Sequence, residues 1–175
     1  MMQFDKLVQM RYSVRKFDQR PVEDRKVQMI LRAAQAAPSA KNNQSWRVLV
    51  LNERMALEKL KECTPCHYHA PLVFVIGYDT TACYIREADG TPVGVMDACI
   101  AATHMMLQAC DIGVGNTWVE NFDPAALRRN YQIPENIEIV ALLVCGYPHT
   151  DATVSSRHKE RKPLENLCWY NSFHE

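Results

Sequence analysis

Apolar residues recur along this chain at two different spacings, and these spacings separate predicted helices from predicted strands. The clearest helix covers residues 23–37, where apolar side chains follow the i, i+3, i+4, i+7 spacing of a helix with one buried side. Pro38 closes this helix, because proline cannot continue it. The apolar positions are Val27, Ile30, Leu31 and Ala34.

Four further segments are predicted to be helical. Short helices cover residues 4–10 and residues 54–62, the latter with Asn52 as its cap. Another begins after Asp123, since proline follows a carboxylate that can cap a helix. The fourth, over residues 95–110, is apolar on nearly all sides. This composition predicts burial all round, either in a large core or against a partner subunit.

Runs rich in β-branched and aromatic residues predict four strands, and two of these runs are continuously apolar, as expected of inner strands. Helices and strands are mixed without regular alternation, which favours an α+β fold. No internal repeat or linker divides the chain, so residues 1–175 are predicted to form one domain. The predicted strands cover residues 46–51, 71–78, 114–120 and 137–145.

The last segment, residues 148–175, is polar and loop-like but carries several large apolar side chains, which favours packing on another surface such as a partner subunit. These side chains are Leu164, Leu167, Trp169, Tyr170 and Phe173.

The composition excludes several classes of protein. Twenty basic residues balance twenty acidic ones, which argues against nucleic-acid binding, because that leaves a basic footprint. No apolar run approaches the roughly 20 residues that a membrane-spanning helix needs. Asp5 and Lys6 interrupt the first apolar residues, so no secretory signal is predicted. Seven cysteines, an odd number, then indicate reduced thiols in a cytoplasm.

Two polar segments carry the candidate chemistry. Residues 11–15 offer two fixed cations and a hydroxyl, which suit an anionic group. Residues 38–46 form a turn rich in amide and hydroxyl side chains that ends on an aromatic residue and a strand. Together the two segments predict a site for a large, planar, phosphorylated ligand.

In this order, the two segments resemble the nitroreductase family of flavin-dependent oxidoreductases. The family's Arg-x-Ser-x-Arg/Lys and Ala-Pro-Ser-x-x-Asn-x-Gln-Pro-Trp segments are matched, and later landmarks match from Trp118 to Asp123 and at Lys159-x-Arg161. Ser45 stands where the family usually has proline, Asn121 stands where many members have glycine, and residues 53–93 match poorly. The matching positions are Arg11, Ser13, Arg15, Ala37, Pro38, Ser39, Asn42, Gln44 and Trp46.

The resemblance implies a central mixed or antiparallel sheet flanked by helices, in an intertwined homodimer with FMN bound at the subunit interface. It also implies that NADH or NADPH passes hydride to flavin N5, and that an electron-poor acceptor such as a nitroaromatic or quinone then takes the same place. Because the cofactor carries the chemistry, no catalytic side chain and no metal are expected.

The resemblance further implies roles for individual residues. Four side chains would hold the phosphate, and Arg15 would lie near the pyrimidine edge of the flavin. Glu120 and Asn121 would act through backbone groups near N5. Residues 38–42 would approach the flavin of the other subunit. The phosphate side chains are Arg11, Ser13, Lys159 and Arg161. The full expected set is Arg11, Tyr12, Ser13, Arg15, Pro38, Ser39, Ala40, Asn42, Trp118, Glu120, Asn121, Lys159 and Arg161.

Two alternatives stay open. A non-catalytic FMN-binding or redox-sensing protein on the same scaffold is favoured by the short region 53–93, which could leave minimal substrate walls. The segment Cys63-Thr64-Pro65-Cys66-His67 has the spacing of haem attachment, but that chemistry requires export. A zinc site with His69, a dithiol redox pair, or ordinary reduced side chains are the other interpretations of this segment.

Overall fold

The fold is built on a four-stranded sheet in which every neighbouring pair of strands is antiparallel. The computed structural model describes residues 3–173. The ends of the predicted domain, residues 1–2 and 174–175, lie outside the described residues. The α+β prediction is confirmed, with an antiparallel sheet. The strands are β1 (Trp46–Leu51), β2 (Leu72–Asp79), β3 (Gly115–Val119) and β4 (Ile137–Gly146), in the spatial order β1-β2-β4-β3.

Five α-helices within residues 3–173 accompany the sheet. The last of them begins as predicted, because the Asp123 carboxylate accepts hydrogen bonds from the N–H groups of Ala125 and Ala126. The prediction that Asn52 caps a helix is wrong, since Glu53 occupies the N-cap position and makes no side-chain cap bond. The helices are α1 (Phe4–Met10), α2 (Asp24–Gln35), α3 (Arg54–Leu60), α4 (Gly94–Asp111) and α5 (Pro124–Tyr131).

Both faces of the sheet are covered, which explains why β2 and β4 are continuously apolar rather than alternating. Successive side chains of a strand point to opposite faces. Phe74 and Leu143 therefore pack in the cluster that contains α2 and α4, whereas Val75 and Val144 pack in the cluster that contains α3 and α5. Burial of each such side chain contributes about 1.5–3 kcal/mol to folding, so the two clusters together position the ends of the strands.

Helix α4 is buried on one side only. Its small residues Ala98, Ala101 and Ala102 face α2 and the sheet and have almost no exposed surface. Val95, Met96 and Ile100 are exposed, so burial all round is wrong for the single chain, and burial against a partner subunit stays a prediction. Among the helices of residues 3–173, none combines the length and apolar character needed to cross a membrane.

Candidate functional site

The predicted anion-binding segment, residues 11–15, runs as extended chain beside β3. The N–H of Val14 donates to the carbonyl of Asn116 at 3.0 Å, and Ser13 forms a single parallel bridge with the same residue. Val14 is buried and anchors the segment, while the polar side chains around it are partly or fully exposed. Because the backbone and Val14 make the attachment, these polar side chains stay available to a ligand. They are Arg11, Ser13 and Arg15.

The basic C-terminal motif folds back onto the end of α1. The His158 ring has its Nε2 atom 3.1 Å from the carbonyl of Gln9, and it meets the Tyr12 ring edge-on at 6.4 Å between centroids. Lys159 follows His158 directly and therefore lies at the same end of the molecule as residues 11–15. Its side chain is exposed. The exposed Arg161 guanidinium donates to the carbonyl of the residue before it at 2.7 Å.

The end of β3 presents unpaired backbone donors. The indole N–H of Trp118 donates to the carboxylate of Glu120 at 2.9 Å. Sheet pairing ends at Val119, and within residues 3–173 the N–H groups of Glu120 and Asn121 donate to no protein acceptor. Both residues are exposed. A backbone N–H strongly favours an acceptor, so this strand end suits a ligand that offers one.

Tyr68 lies beside Arg15 and was missed by sequence reasoning. The two residues line one open pocket of about 520 Å³. Burial raises the pKa of the Tyr68 hydroxyl, the neighbouring Cys66 raises it further, and the hydrogen bond with Arg15 opposes both. The phenol therefore stays protonated at neutral pH. No sequence signal identified Tyr68, because it lies in the region that matches the family poorly.

The polar loop after α2 is organised by a buried carboxylate. Asp97, only 2% exposed, accepts hydrogen bonds from the N–H of Ala40 at 2.9 Å and from the hydroxyl of Ser45 at 3.0 Å. The Ser39 hydroxyl closes the loop by accepting from the N–H of Gln44 at 3.0 Å. Sequence reasoning missed Asp97, although a single acidic residue in the first turn of a strongly apolar helix is a usable signal.

The same hydrogen bonds hold the loop backbone in an uncommon shape. Lys41, Asn42 and Gln44 all have left-handed backbone angles, with φ of 54°, 56° and 50°. Asparagine tolerates this region, but other residues lose roughly 1–2 kcal/mol there. The hydroxyl of Ser45 donates a hydrogen bond to Asp97. The nitroreductase family usually has proline at this position, and proline has no donor for such a bond. The exposed Pro38 and Asn42 lie on the outer surface of the loop.

The two polar segments lie at opposite ends of α4. The loop contacts Asp97 in the first turn of this helix, whereas Arg11 lines a pocket with Cys110 in its last turn. Thirteen residues of helix separate these two contacts, which is about 20 Å at 1.5 Å per residue. This distance exceeds the reach of side chains, so one chain does not bring the two segments together.

The cysteine segment forms a turn between α3 and β2. Cys63 is buried beside the amide of Asn130, with 3.5 Å between Sγ and Nδ2, and burial raises the pKa of its thiol. Cys66 is half-buried, with its Sγ atom 3.9 Å from the amide nitrogen of Asn121. Every cysteine is a free thiol. In the described part of the chain, no three His, Cys, Asp or Glu side chains are grouped to hold a metal ion.

Known structures have a similar fold, and known sequences are similar to this chain. A crystal structure of a nitroreductase family protein from Clostridium difficile 630 superposes with a TM-score of 0.92 at 33% identity, covering 98% of this chain and 100% of the other. An FMN-dependent nitroreductase from Clostridium difficile R20291 superposes with a TM-score of 0.77 at 26% identity, covering 95% and 98%. An Archaeoglobus fulgidus protein provisionally named NADH dehydrogenase/NAD(P)H nitroreductase is 29% identical over 82% of this chain and 84% of its own length.

The sequence model of the nitroreductase family matches residues 8–64 and 65–147. These ranges include residues 11–15, the polar loop, all four strands and the end of β3. The resemblance stated from the sequence is confirmed: this chain belongs to the nitroreductase family.

Proposed function

We propose that this chain is an FMN-dependent oxidoreductase that uses NADH or NADPH to reduce an electron-poor small molecule. One observation carries the proposal: cationic side chains and unpaired N–H donors lie along the same edge strand. Residues 11–15 attach to β3 at Asn116, and the free N–H groups follow Val119. Asn116 and Glu120 are four residues apart, about 13 Å along a strand. An extended mononucleotide covers a span of this order.

The available donors fit FMN. Arg11, Ser13, Lys159 and Arg161 offer charge-assisted hydrogen bonds of the kind that hold phosphate. The N–H groups after β3 suit an acceptor atom on the ring. When bound, FMN supplies the two-electron chemistry by which hydride passes from a nicotinamide to an acceptor. The relatives named as FMN-dependent and NAD(P)H-using proteins support this proposal.

Protein side chains contribute position and charge. The Arg15 cation stabilises negative charge that develops on the pyrimidine edge of the ring, and Tyr68 lines the same pocket beside it. Asp97 fixes the backbone shape of the polar loop, which supplies a surface against the ring from the neighbouring subunit. No protein nucleophile is required by this scheme.

We further propose that two copies of this chain form the site. Each chain separates its two polar segments by the length of α4, so a dimer in which α4 packs against its partner can unite them. Val95, Met96 and Ile100 of α4 are exposed and apolar. The tail also exposes apolar side chains, and exposed apolar surface marks association sites. In the tail these are Leu164, Leu167, Trp169, Tyr170 and Phe173.

Spectroscopy of the purified protein tests the cofactor and the activity. We expect yellow protein whose flavin absorption is bleached by NADH or NADPH without oxygen and returns when quinone or nitroaromatic acceptors are added. Protein that takes up no added FMN would contradict the whole proposal. Protein that binds FMN but is not reduced by either nucleotide in stopped-flow mixing would instead support the non-catalytic alternative.

Subunit mixing tests the shared site. Arg11→Ala and Asn42→Ala each damage both sites of a homodimer if one segment comes from each subunit. A mixed dimer then contains one intact site and one site with both changes, so half of the sites should bind FMN with wild-type affinity. If each site belongs to a single chain, mixed dimers recover no wild-type sites. Light scattering should also give a mass of twice 20.1 kDa.

A further inference from the structure

The turn at Cys63–Cys66 joins two parts of the chain that are distant in sequence. It connects α3 to β2 and lies against the segment that follows β3. Two hydrogen bonds cross between them: the hydroxyl of Thr64 donates to the carbonyl of Asn121 at 2.6 Å, and the N–H of Asp123 donates to the carbonyl of Cys63 at 2.8 Å. Two elements distant in sequence are therefore joined beside the proposed flavin site.

Thr64 is built into this turn. It is 2% exposed, and its hydroxyl accepts a hydrogen bond from the N–H of Cys66 at 2.9 Å while it donates to Asn121. Because the hydroxyl both accepts one hydrogen bond and donates another, it has one preferred orientation. A buried hydroxyl that is satisfied in this way restricts the groups it contacts.

The contact holds the Asn121–Phe122 peptide directly, and the N–H of that peptide in turn holds the Glu120–Asn121 peptide. The carbonyl of Asn121 is bound by Thr64, and the carbonyl of Glu120 accepts from the N–H of Phe122 at 3.1 Å. In a planar trans peptide the C=O and N–H bonds point in opposite directions. The N–H of Asn121 therefore points away from the Glu120 carbonyl, and it is one of the two donors left unpaired at the end of β3.

We propose that Thr64 is a positioning residue of the flavin site. Its hydroxyl holds the Asn121–Phe122 peptide, and the N–H of that peptide binds the Glu120 carbonyl and so orients the Glu120–Asn121 peptide with the Asn121 N–H towards the cofactor. This inference rests on the proposed function, because it assigns that N–H to FMN. It gives the Cys63–His67 segment a role through threonine rather than through its thiols.

Thr64→Val tests the assignment because valine keeps the shape and removes the hydroxyl. We expect FMN to dissociate from this variant at least about tenfold more readily, and we expect the midpoint potential and visible spectrum of bound flavin to change. Thr64→Ser retains both hydrogen bonds and should behave as wild type. Thr80→Val is the matched control, because Thr80 also donates to a distant carbonyl, that of Asn136, at 3.1 Å but on an exposed loop.

Measurements on the apo and FMN-bound forms separate the outcomes. A Thr64→Val protein with wild-type FMN affinity, spectrum and potential overturns the inference, as does a change in these quantities that Thr80→Val reproduces. If Thr64→Val does not fold, Thr64→Ser and Thr64→Ala give the same comparison, since Thr64→Ser keeps both hydrogen bonds and Thr64→Ala keeps neither. Wild-type protein that binds no FMN refutes the proposed function itself, which is a distinct result from equal binding by wild type and variant.

Discussion

Residues 11–15 and the loop of residues 38–45 are both polar, yet they use their side chains in opposite ways. In the first segment the backbone and the buried Val14 make the attachment to the sheet, and the charged side chains remain exposed. In the loop, the Ser39 hydroxyl accepts from the N–H of Gln44, and the Ser45 hydroxyl donates to Asp97. The first segment therefore offers charge to a ligand, whereas the loop offers a fixed backbone surface.

This difference predicts different consequences of mutation. Changes of Arg11, Ser13 or Arg15 should alter ligand binding with little effect on folding, because these side chains are partly or fully exposed and the attachment to the sheet is made by the backbone and Val14. Changes in the loop or at Asp97 should first lower the free energy of unfolding, because the polar groups of the loop and Asp97 are hydrogen-bonded to one another. The comparison can be tested at four places, from the largest expected effect to the smallest.

Asp97→Ala should lower the free energy of unfolding by about 3 kcal/mol, because the buried Ser45 hydroxyl and the half-buried Ala40 N–H lose their acceptor. Urea unfolding of the apo protein measures this change. Asp24→Ala is the control, since this carboxylate is exposed in the first turn of α2 and should change stability by less than about 1 kcal/mol. Equal stability of the two variants would refute the role of Asp97.

Arg11→Ala should weaken FMN binding by roughly 10- to 100-fold, as expected for one charge-assisted hydrogen bond of about 1.5–3 kcal/mol. The free energy of unfolding should change by less than about 1 kcal/mol, because the side chain is partly exposed. Titration with FMN and urea unfolding give the two quantities. Arg25→Ala, on the exposed side of α2, should change neither. Unchanged FMN affinity would remove Arg11 from the phosphate site.

Two serines offer the closest comparison between the regions. Ser39→Ala should lower the free energy of unfolding by about 1 kcal/mol, because the N–H of Gln44 loses its acceptor. Ser13→Ala should leave unfolding within about 0.5 kcal/mol and weaken FMN binding severalfold. The same two measurements apply to both variants. If the serines exchanged these effects, the distinction between a charged segment and a structural loop would fail.

The smallest expected effect is acid sensitivity on the loop side. Hydrogen bonds from Thr81 lower the pKa of Asp79 from 3.8 to about 2, and Asn136 and Arg47 act in the same direction. Because the folded state has the lower pKa, this stabilisation is complete above pH 3.8 and is lost as the pH falls towards about 2. Asp79→Asn should remove this contribution to the pH dependence of unfolding. An unchanged pH profile between 4 and 2 would contradict it.

Much of the fold could be predicted because its signals are local. The 3.6-residue period of α2, the apolar runs of β2 and β4, and the Asp123 cap are set by neighbouring residues, and all appear close to their predicted bounds. Asn52 failed as a cap because the choice between adjacent residues depends on where the first turn packs. The exposed side of α4 was also missed, since composition does not reveal which faces one chain can cover.

The sequence by itself determined the family and the α+β class, and it predicted the ligand-facing motifs, because these depend on residue types in a fixed order. Only the tertiary structure decided which groups meet. It placed the two polar segments at opposite ends of α4, made Asp97 the acceptor for the loop, and brought Thr64 to the carbonyl of Asn121. Contacts of this kind join residues about 55 positions apart, and their geometry arises only when the helices and the sheet pack together.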